Sequence, residues 1–372
     1  MLASSHPACQ SLLEAKPLST QSGPLITAMA FERNLLIVTI LITLGTLASE
    51  ATSRTLYQAS IATKHEQWMK KHGRVYQDSA EKERRFQIFK NNVEFVEKFN
   101  SEGNMTYSLC INRFSDMTYD EFLRHYTGYK QPTESTSSAV ASFTYENLSP
   151  ADVPQSIDWR EKRAVTPVKF QGSCGCCWAF AAVAAVEGIT QIKTGKLTSL
   201  SEQQLVNCDT DNNGCQGGRA VNALAYIQRN GGITVEENYP YQSLDGSVGT
   251  CDMNKENEAA AQITSYAEVP PNSETDLLKT VSMQPVSVSI HASPAFQHYS
   301  GGVFTGDDCG KELNHAVTII GYGTTEDGTP YWLIKNSWSD KWGESGYMKI
   351  LRNADAPGGV CGLAIRPCYP TM

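Results

Sequence analysis

Three cysteines lie within four positions of the stretch FQGSCGCCWAF, residues 170–180, which is where the chain most clearly carries reactive side chains. Cys174, Cys176 and Cys177 could be metal ligands, a redox-active pair, or a disulfide anchor beside a nucleophile. Cys177 opens the helix-favouring run CWAFAAVAAVEG, and a thiol at a helix N-terminus lies at the positive end of the helix dipole. That position favours a thiolate, but the spacing alone leaves all three interpretations open.

The region around these cysteines shows helical signals early and strand signals late. Helix-favouring runs cover 177–194, 201–206 and 219–229, whereas the apolar runs QPVSVSI, HAVTIIGYG and YWLIKNSW are typical of strands. Helices followed by strands predict an α+β architecture with two lobes.

A helical segment at 57–100 and a linker precede this region. In the second part of the segment, steps of 4, 4, 3, 4 and 4 place six residues on one helical stripe, namely Glu81, Arg85, Phe89, Asn92, Val96 and Asn100. The spacing is that of an ordinary amphipathic helix, although the mixture of polar and apolar residues favours docking on another surface. The Ser/Thr/Pro-rich stretch 130–142 predicts a flexible, cleavable linker.

Composition limits the class of protein. With 372 residues, of which 41% are apolar and 19% charged, the chain is long enough for a folded domain of about 200 residues and an accessory segment. Its net charge of −8 argues against a nucleic-acid partner, because such binding usually needs a basic face.

The N-terminus carries the apolar run LLIVTILITLG at residues 35–45, which follows Arg33 and precedes small residues. The run is about half the length that spans a bilayer, so residues 1–51 are interpreted as a cleavable signal peptide. Met29 is the better start of such a signal, and the first 28 residues are interpreted as an extension from a misassigned start codon. A signal peptide implies an oxidising compartment, in which the eleven cysteines are expected first as disulfides.

Three blocks together, QGSCGCCWAF, NHAVTIIGYG and NSWSDKWGESGY, resemble the papain-like cysteine proteases, and the resemblance covers residues 68–370. The helical stripe resembles the propeptide signature of that family. CINRFSD resembles its second propeptide motif in Asn112, Phe114 and Asp116, with Cys110 in place of a glycine. The chain is most similar to plant vacuolar, senescence-type members.

This resemblance implies a papain-like two-lobe fold, with a helical left lobe and an antiparallel β-barrel-like right lobe. A helical inhibitory propeptide precedes it at 52–151, with the linker at about 130–151, and the peptidase domain covers 152–372. The implied function is a cysteine endopeptidase that works through a thiolate–imidazolium pair and a thioester acyl-enzyme. It is synthesised as an autoinhibited zymogen and needs no cofactor or metal.

The resemblance also implies the role of each catalytic residue. Cys177 would be the nucleophile and His315 the imidazolium beside it, with Asn336 accepting a hydrogen bond from the imidazole. Trp338 would shield that hydrogen bond from water. Gln171 would donate to the oxyanion together with the backbone N–H of the nucleophile. Taken singly, a histidine before an apolar strand is more often structural than a base, and Asn336 and Trp338 are typical of a turn and a core aromatic.

The cysteine pairing is likewise implied by the resemblance, because spacing alone selects no connectivity. The implied disulfides are Cys174–Cys215, Cys208–Cys251 and Cys309–Cys361. Cys176 and Cys368 are then left over in the peptidase region. Cys176 is interpreted as a small buried residue, with a reversible bond to Cys177 or capture of its sulfenic acid as the alternative.

The resemblance places two arginines in the pocket for the second residue before the cleaved bond, which would be lined by Arg219, Ala220, Ser289, Ala316 and Arg366. A buried, unpaired arginine is costly, so each must point to solvent or find an acidic partner. Outward-pointing arginines are the simpler interpretation. The alternative is a pocket that accepts Asp or Glu from the substrate.

Three other functions compete with the endopeptidase. A thiol–disulfide oxidoreductase would use Cys174-x-x-Cys177, but it would leave His315 and Gln171 unexplained, and no thioredoxin-like βαβ pattern surrounds the motif. A zinc site would need reduced thiols, which a secretory route disfavours, and structural zinc prefers two separated ligand pairs. A non-catalytic peptide-binding relative would lack a member of the triad, whereas all three are present here.

The expected partners follow from the resemblance. They are peptide and protein substrates, the protein's own propeptide as inhibitor, and cystatin-type inhibitors, with no nucleic acid and no membrane. The enzyme is expected to be a monomer in a vacuole- or lysosome-like compartment or outside the cell. Asn104-Met-Thr and Asn147-Leu-Ser match the N-glycosylation pattern and lie before the peptidase region.

Overall fold

The structure is a computed structural model that describes Thr43 and residues 56–103, 105–132 and 141–372. Apart from Thr43, the predicted signal peptide lies outside these residues, as do Asn104 and part of the predicted linker. The chain divides into two compact units, of which one ends at Glu94 and the other begins at Phe95. Within the described ranges, no helix is long and apolar enough to cross a bilayer.

The first unit contains α1 (residues 56–72) and the N-terminal part of α2 (Ser79–Ser101). Trp68 of α1 and Phe89 of α2 are buried, and their ring centroids lie 5.3 Å apart. The helices predicted for 57–100 are therefore present, as two pieces joined by a short connection.

Two polar pairs show what the helical stripe does. Within α2, Glu81 accepts a hydrogen bond from Arg85 Nε at 2.7 Å, one turn further along the helix. In the second unit, the Asn100 side chain bonds both backbone groups of Leu109, donating at 2.8 Å and accepting at 3.0 Å. The stripe therefore stabilises the helix near its start and holds strand β1 (Tyr107–Leu109) near its end.

A short helix, α3 (Tyr119–Tyr126), follows β1. Thr118 and Glu121 form a capping box at its start, in which each side chain bonds the backbone N–H of the other residue. The cap fixes where the helix begins and which face it turns towards the rest of the second unit.

Four helices of the second unit form the helical lobe, namely α4 (Cys177–Thr194), α5 (Glu202–Cys208), α6 (Ala220–Arg229) and α7 (Met253–Glu256). α4 is buried over most of its surface, since its alanines let neighbouring elements approach closely. It ends at Gly195, whose φ of 75° is a left-handed conformation that glycine adopts without steric cost. Trp178 and Leu224 are fully buried in the core of this lobe.

The other lobe is built on one sheet in the order β1-β5-β8-β7-β6-β4-β9-β3, with β2 paired to β6. Two helices accompany it, α8 (Glu274–Met283) and α9 (Pro294–His298). The strands after β1 are β2 (Ile157–Asp158), β3 (Ser265–Glu268), β4 (Val286–Ile290), β5 (Tyr299–Phe304), β6 (His315–Thr324), β7 (Pro330–Lys335), β8 (Tyr347–Leu351) and β9 (Cys368–Thr371).

The sheet lobe differs from a closed antiparallel barrel in two respects. Among the described residues, β1 and β3 end the path without pairing to each other, so the sheet is not closed. The β5–β8 pair is parallel, whereas the other strand pairs are antiparallel. The reason is the meander of β6, β7 and β8, which returns β8 to the direction of β6 and lays it beside β5.

Aromatic residues from the segment before the peptidase region pack in the core of the sheet lobe. Phe114 and Phe122 are fully buried, and their ring centroids lie 5.7 and 5.0 Å from that of Trp338. Tyr126, at the end of α3, belongs to the same cluster. The segment therefore shares a core with the lobe rather than lying loosely on its surface.

The three disulfides in the described part of the chain are the pairs that the resemblance implies: Cys174–Cys215, Cys208–Cys251 and Cys309–Cys361. Cys176, Cys177 and Cys368 are free and buried. The described end of the linker is held to the sheet lobe, since Ala141 N donates to Tyr266 O at 3.1 Å.

Candidate active site

Cys177 is the first residue of α4, and its side chain is fully buried. The residue before the helix, Cys176, provides no side-chain cap, so the positive end of the helix dipole faces the thiol. The Cys174–Cys215 disulfide fixes the turn that leads into α4, and Gly175 N donates to Cys215 O at 2.9 Å. The backbone therefore positions the thiol before any side chain acts on it.

His315 is the first residue of β6, and its neighbour Ala316 donates its backbone N–H to Cys177 Sγ at 3.4 Å. The imidazole Nε2 lies 2.9 Å from Asn336 Oδ1. Trp338 stacks on the imidazole with ring centroids 4.4 Å apart and an interplanar angle of 23°. All of these side chains are buried, so the tryptophan covers the histidine–asparagine contact against water.

Gln171 is fully buried, and both ends of its amide are hydrogen-bonded. Its Oε1 accepts from Ser337 Oγ at 2.6 Å, which orients the amide. Its Nε2 donates to Cys174 O at 2.8 Å and to Tyr126 O at 3.3 Å. The donor predicted for an oxyanion thus faces a backbone carbonyl oxygen of the preceding segment.

The chain after α3 occupies the groove beside Cys177 through backbone contacts. Gly128 N and Tyr129 N donate to Asn314 O at 3.0 and 2.9 Å, while Gly218 N donates to Gly128 O at 2.8 Å. A Cβ added to Gly128 would lie 1.9 Å from Gly175 O, so only glycine fits where the chain crosses the start of the active helix. The groove therefore binds an extended backbone.

Burial keeps the reactive pair uncharged while this segment covers it. Burial raises the pKa of Cys177 to about 12, although the backbone N–H groups of Ala316 and Gly128 partly oppose the rise. Burial lowers the pKa of His315 to about 4, against the contact with Asn336, which favours the protonated ring. The covered site thus holds a thiol and a neutral imidazole, because a charge excluded from water is costly.

Cys176 points into the core of the helical lobe, where its Sγ lies 3.0 Å from Tyr241 Oη. Burial raises its pKa far above the ordinary value of a thiol. This environment fits the interpretation of a small buried residue and offers no thiolate for exchange with Cys177.

The structure brings four of the five predicted pocket residues together, while the fifth, Ala316, lies beside Cys177. Tyr129 is one of the residues that line this recess. Its lining residues include four predicted ones, Arg219, Ala220, Ser289 and Arg366, and also Glu268 and Cys368, which the sequence analysis did not assign to it. Glu268 comes from β3 and Cys368 from β9, which are paired, so only the sheet brings them here. Asn147, an acceptor by sequence pattern, lies exposed in a turn.

A buried charge cluster behind the catalytic residues was also missed. Lys169 Nζ donates to both carboxylate oxygens of Glu202 at 2.8 Å and to Glu187 Oε1 at 3.2 Å. Lys335 Nζ lies 3.9 Å from Glu187 Oε2. Burial would raise the pKa of Glu187, but the charges of the two lysines outweigh it and lower the pKa. The cluster ties α4 and α5 to the strand that precedes Asn336.

Comparison with known families accounts for both parts of this arrangement. Residues 153–371 match the papain family cysteine protease domain, and residues 65–122 match the cathepsin propeptide inhibitor domain. The chain belongs to the papain family of cysteine proteases. It is a cysteine endopeptidase made as a zymogen, and its own propeptide is the inhibitor that occupies the groove.

Similar proteins extend over most of the chain. The senescence-specific cysteine protease SAG12 of Arabidopsis thaliana is 52% identical over 314 residues, which cover 83% of this chain and 90% of that protein. A recombinant stem bromelain precursor has a TM-score of 0.77 at 47% identity, covering 84% of this chain and 99% of that one. The proform of the ragweed pollen allergen Amb a 11 also has a TM-score of 0.77, at 41% identity, covering 84% and 94%.

These findings overturn the competing functions. Cys174 is bonded to Cys215, so it is not available to form the exchange pair with Cys177 that an oxidoreductase needs, nor to act as a zinc ligand. The disulfides and the similarity to plant cysteine proteases indicate the secretory pathway.

Proposed function

We propose that peptide-bond hydrolysis runs through Cys177 as nucleophile and His315 as its proton carrier, with Asn336 orienting the imidazole. The observation that carries this proposal is the contact of the inhibitory segment with Gln171, Trp338 and the start of the active helix. Tyr126 O accepts hydrogen bonds from Gln171 and from Trp338 Nε1, and Gly128 crosses the helix that begins at the thiol. A segment that blocks a peptidase has to cover the atoms that react.

The first half of the proposed reaction begins when the propeptide leaves and water enters the groove. Water stabilises charge, so the Cys177 thiol passes its proton to His315 Nδ1, which has no hydrogen-bond partner among the described residues. The thiolate attacks the carbonyl carbon of the substrate. Gln171 Nε2 and the Cys177 backbone N–H then stabilise the oxyanion, and the imidazolium protonates the leaving amine as the thioester forms.

The second half hydrolyses the thioester. His315, now neutral, takes a proton from a water molecule that attacks the thioester carbonyl carbon, and it returns this proton to the departing Cys177 sulfur. Asn336 keeps the ring in the tautomer that leaves Nδ1 free for both transfers, since its Oδ1 bonds the Nε2–H. Trp338 keeps water from competing for that hydrogen bond.

Labelling of the acid-processed enzyme with an epoxide that alkylates protease thiolates tests these roles. We expect stoichiometric labelling that Cys177→Ala abolishes, while the adjacent Cys176→Ala variant is labelled at the rate of the natural enzyme. Equal labelling of the Cys177→Ala enzyme would refute the assignment of the nucleophile.

We also propose residues 52–151 as the propeptide, with its linker at about 130–151, and 152–372 as the mature enzyme. Two observations support the boundary. Residues 149–152 are exposed or nearly so, which a processing protease requires, whereas β2 at Ile157–Asp158 is paired with β6. N-terminal sequencing of active material tests the boundary, and a start beyond Asp158 would contradict it.

The remaining proposals concern partners and compartment. A vacuole- or lysosome-like or extracellular destination fits the secretory route. Family membership supports cystatin-type inhibitors, a monomeric mature enzyme, and protein as well as peptide substrates. Fractionation of tissue, inhibition by an added cystatin, and light scattering test these three points in turn.

A further inference from the structure

The recess lined by Tyr129 lies next to the point where the bound segment passes the nucleophile. Gly128 crosses the start of the active helix, and the next residue, Tyr129, makes a parallel backbone bridge with Gly218 while its side chain enters the recess. Any extended chain held by the same backbone groups would place a side chain there. The recess is therefore positioned to discriminate between substrates. This inference rests on the proposed function of the groove as the substrate-binding site.

The charges around this recess do not balance. Arg219 and Arg366 both line the recess, and Glu268 is its acidic lining residue, so two positive charges stand against one negative charge. None of the ion pairs in the described part of the chain joins Glu268 to either arginine within 4.0 Å. Arg219 Nε is buried without a hydrogen-bond partner among the described residues.

Tyr129 adds no charge that balances the half-buried Arg219, whereas Arg366 is exposed to solvent. Burial raises the pKa of its phenol, and the positive charges of Arg219 and Arg366 reduce the rise, so both guanidinium groups act at the phenol oxygen. A neutral phenol offers them one acceptor oxygen and no charge. A carboxylate would offer two acceptor oxygens and a full negative charge, and guanidinium groups bind it through short, charge-assisted hydrogen bonds.

We propose that the mature enzyme prefers substrates with a glutamate side chain in the recess lined by Arg219 and Arg366. The methylene groups of glutamate pack beside Ala220 and Val221, and its carboxylate reaches the guanidinium groups at the position that the Tyr129 phenol leaves. Arg366 is exposed, so its charge stays hydrated when the carboxylate pairs mainly with the half-buried Arg219.

Two peptides that differ only in Glu or Gln at the second residue before the cleaved bond test this preference. These side chains have the same shape, so the ratio of their kcat/KM values isolates the charge. With processed enzyme at pH 5.5 and low salt we expect a ratio of about ten, because a site built for a hydrogen-bonded charge rejects the analogue that leaves it unpaired. We expect the ratio to fall towards one below pH of about 4.3, where the glutamate side chain takes up a proton.

The variants Arg219→Gln and Arg366→Gln should each lower the ratio, and the double variant should bring it to about one. Because the ratio is taken within each enzyme, a general loss of activity cancels. Arg229→Gln is the matched control, since Arg229 lies at the other end of α6, pairs with Asp211 and does not line the recess. It should leave the ratio unchanged.

The outcomes separate this inference from the proposed catalytic function. A ratio of one or less in the natural enzyme, or a ratio that survives both arginine substitutions, overturns the inference. The proposed function is overturned instead if the enzyme hydrolyses neither of the two peptides nor a Leu-containing control peptide and the epoxide does not label it.

Discussion

Phe122 is the residue whose removal should most clearly open the zymogen. It is fully buried, and its ring packs edge-on against Trp338 with centroids 5.0 Å apart. Burial of a phenylalanine of roughly 150–200 Å² is worth about 4–5 kcal/mol at about 25 cal/mol per Å². Phe114 and Tyr126 contact the ring too and belong to the propeptide, so part of this burial survives when the propeptide lifts off. We therefore expect Phe122→Ala to weaken the closed state by about 3 kcal/mol, the lower end of the range for such substitutions.

A change of about 3 kcal/mol corresponds to an increase of about 10²-fold in the open fraction of the zymogen. The rate at which an epoxide alkylates Cys177 in unprocessed protein at neutral pH reports this fraction, because the covered thiol is inaccessible. His125→Ala is the matched control, since His125 is exposed on the same helix. We expect its labelling rate to equal that of the natural zymogen.

Labelling of Phe122→Ala within threefold of the His125→Ala rate would refute the reasoning that this packing holds the propeptide. Misfolding is tested separately by processing each variant with acid and titrating its active sites. Equal numbers of active sites would show that both variants folded, so that a faster labelling rate reports opening.

Three further perturbations have expected outcomes. Gln171→Ala should lower kcat by about 10²–10³-fold with little change in KM, in steady-state kinetics of titrated enzyme, because it removes one oxyanion donor. His298 is buried near Phe95 of the propeptide, and burial lowers its pKa to about 4. Its neutral form therefore stabilises the closed zymogen fully above the ordinary histidine pKa of about 6.5, and this stabilisation is lost as the pH falls towards 4. The rise in epoxide labelling of the zymogen between pH 6.5 and 4 should therefore be shallower in His298→Gln. Lys169→Met should lower the free energy of unfolding of the processed enzyme by about 3–5 kcal/mol in urea titration, because two buried carboxylates lose their main partner.

Each of these has a result that contradicts it. An increase in KM at constant kcat would show that Gln171 binds the substrate in its ground state. An unchanged pH slope in His298→Gln would remove that histidine from acid activation. For Lys169→Met, the exposed Lys162→Met is the control, and a loss of stability no larger than that of the control would mean that the buried carboxylates find other partners.

Local sequence patterns were sufficient to predict secondary structure where neighbouring residues determine it. The helix that begins at Cys177, the helices within residues 57–100 and the strands β4, β6 and β7 follow from short-range periodicity and agree with the structure. Local patterns did not reveal that the sheet is open or that β5 and β8 are parallel, since closure and strand direction depend on pairings between residues far apart in the chain. The linker was expected to be flexible, but Ala141 is bonded to Tyr266, a contact that Ser/Thr/Pro content does not reveal.

The sequence by itself determined the family, the zymogen organisation and the residues proposed for catalysis, because their types and order are specific even without coordinates. Only the tertiary structure decided what surrounds them. It placed Tyr129 among Arg219, Glu268 and Arg366, and it joined Lys169 to Glu187 and Glu202 behind the site. The physical reason is that such electrostatic environments form between residues separated by tens to hundreds of positions, whose distances are set by strand register and helix packing rather than by any local pattern.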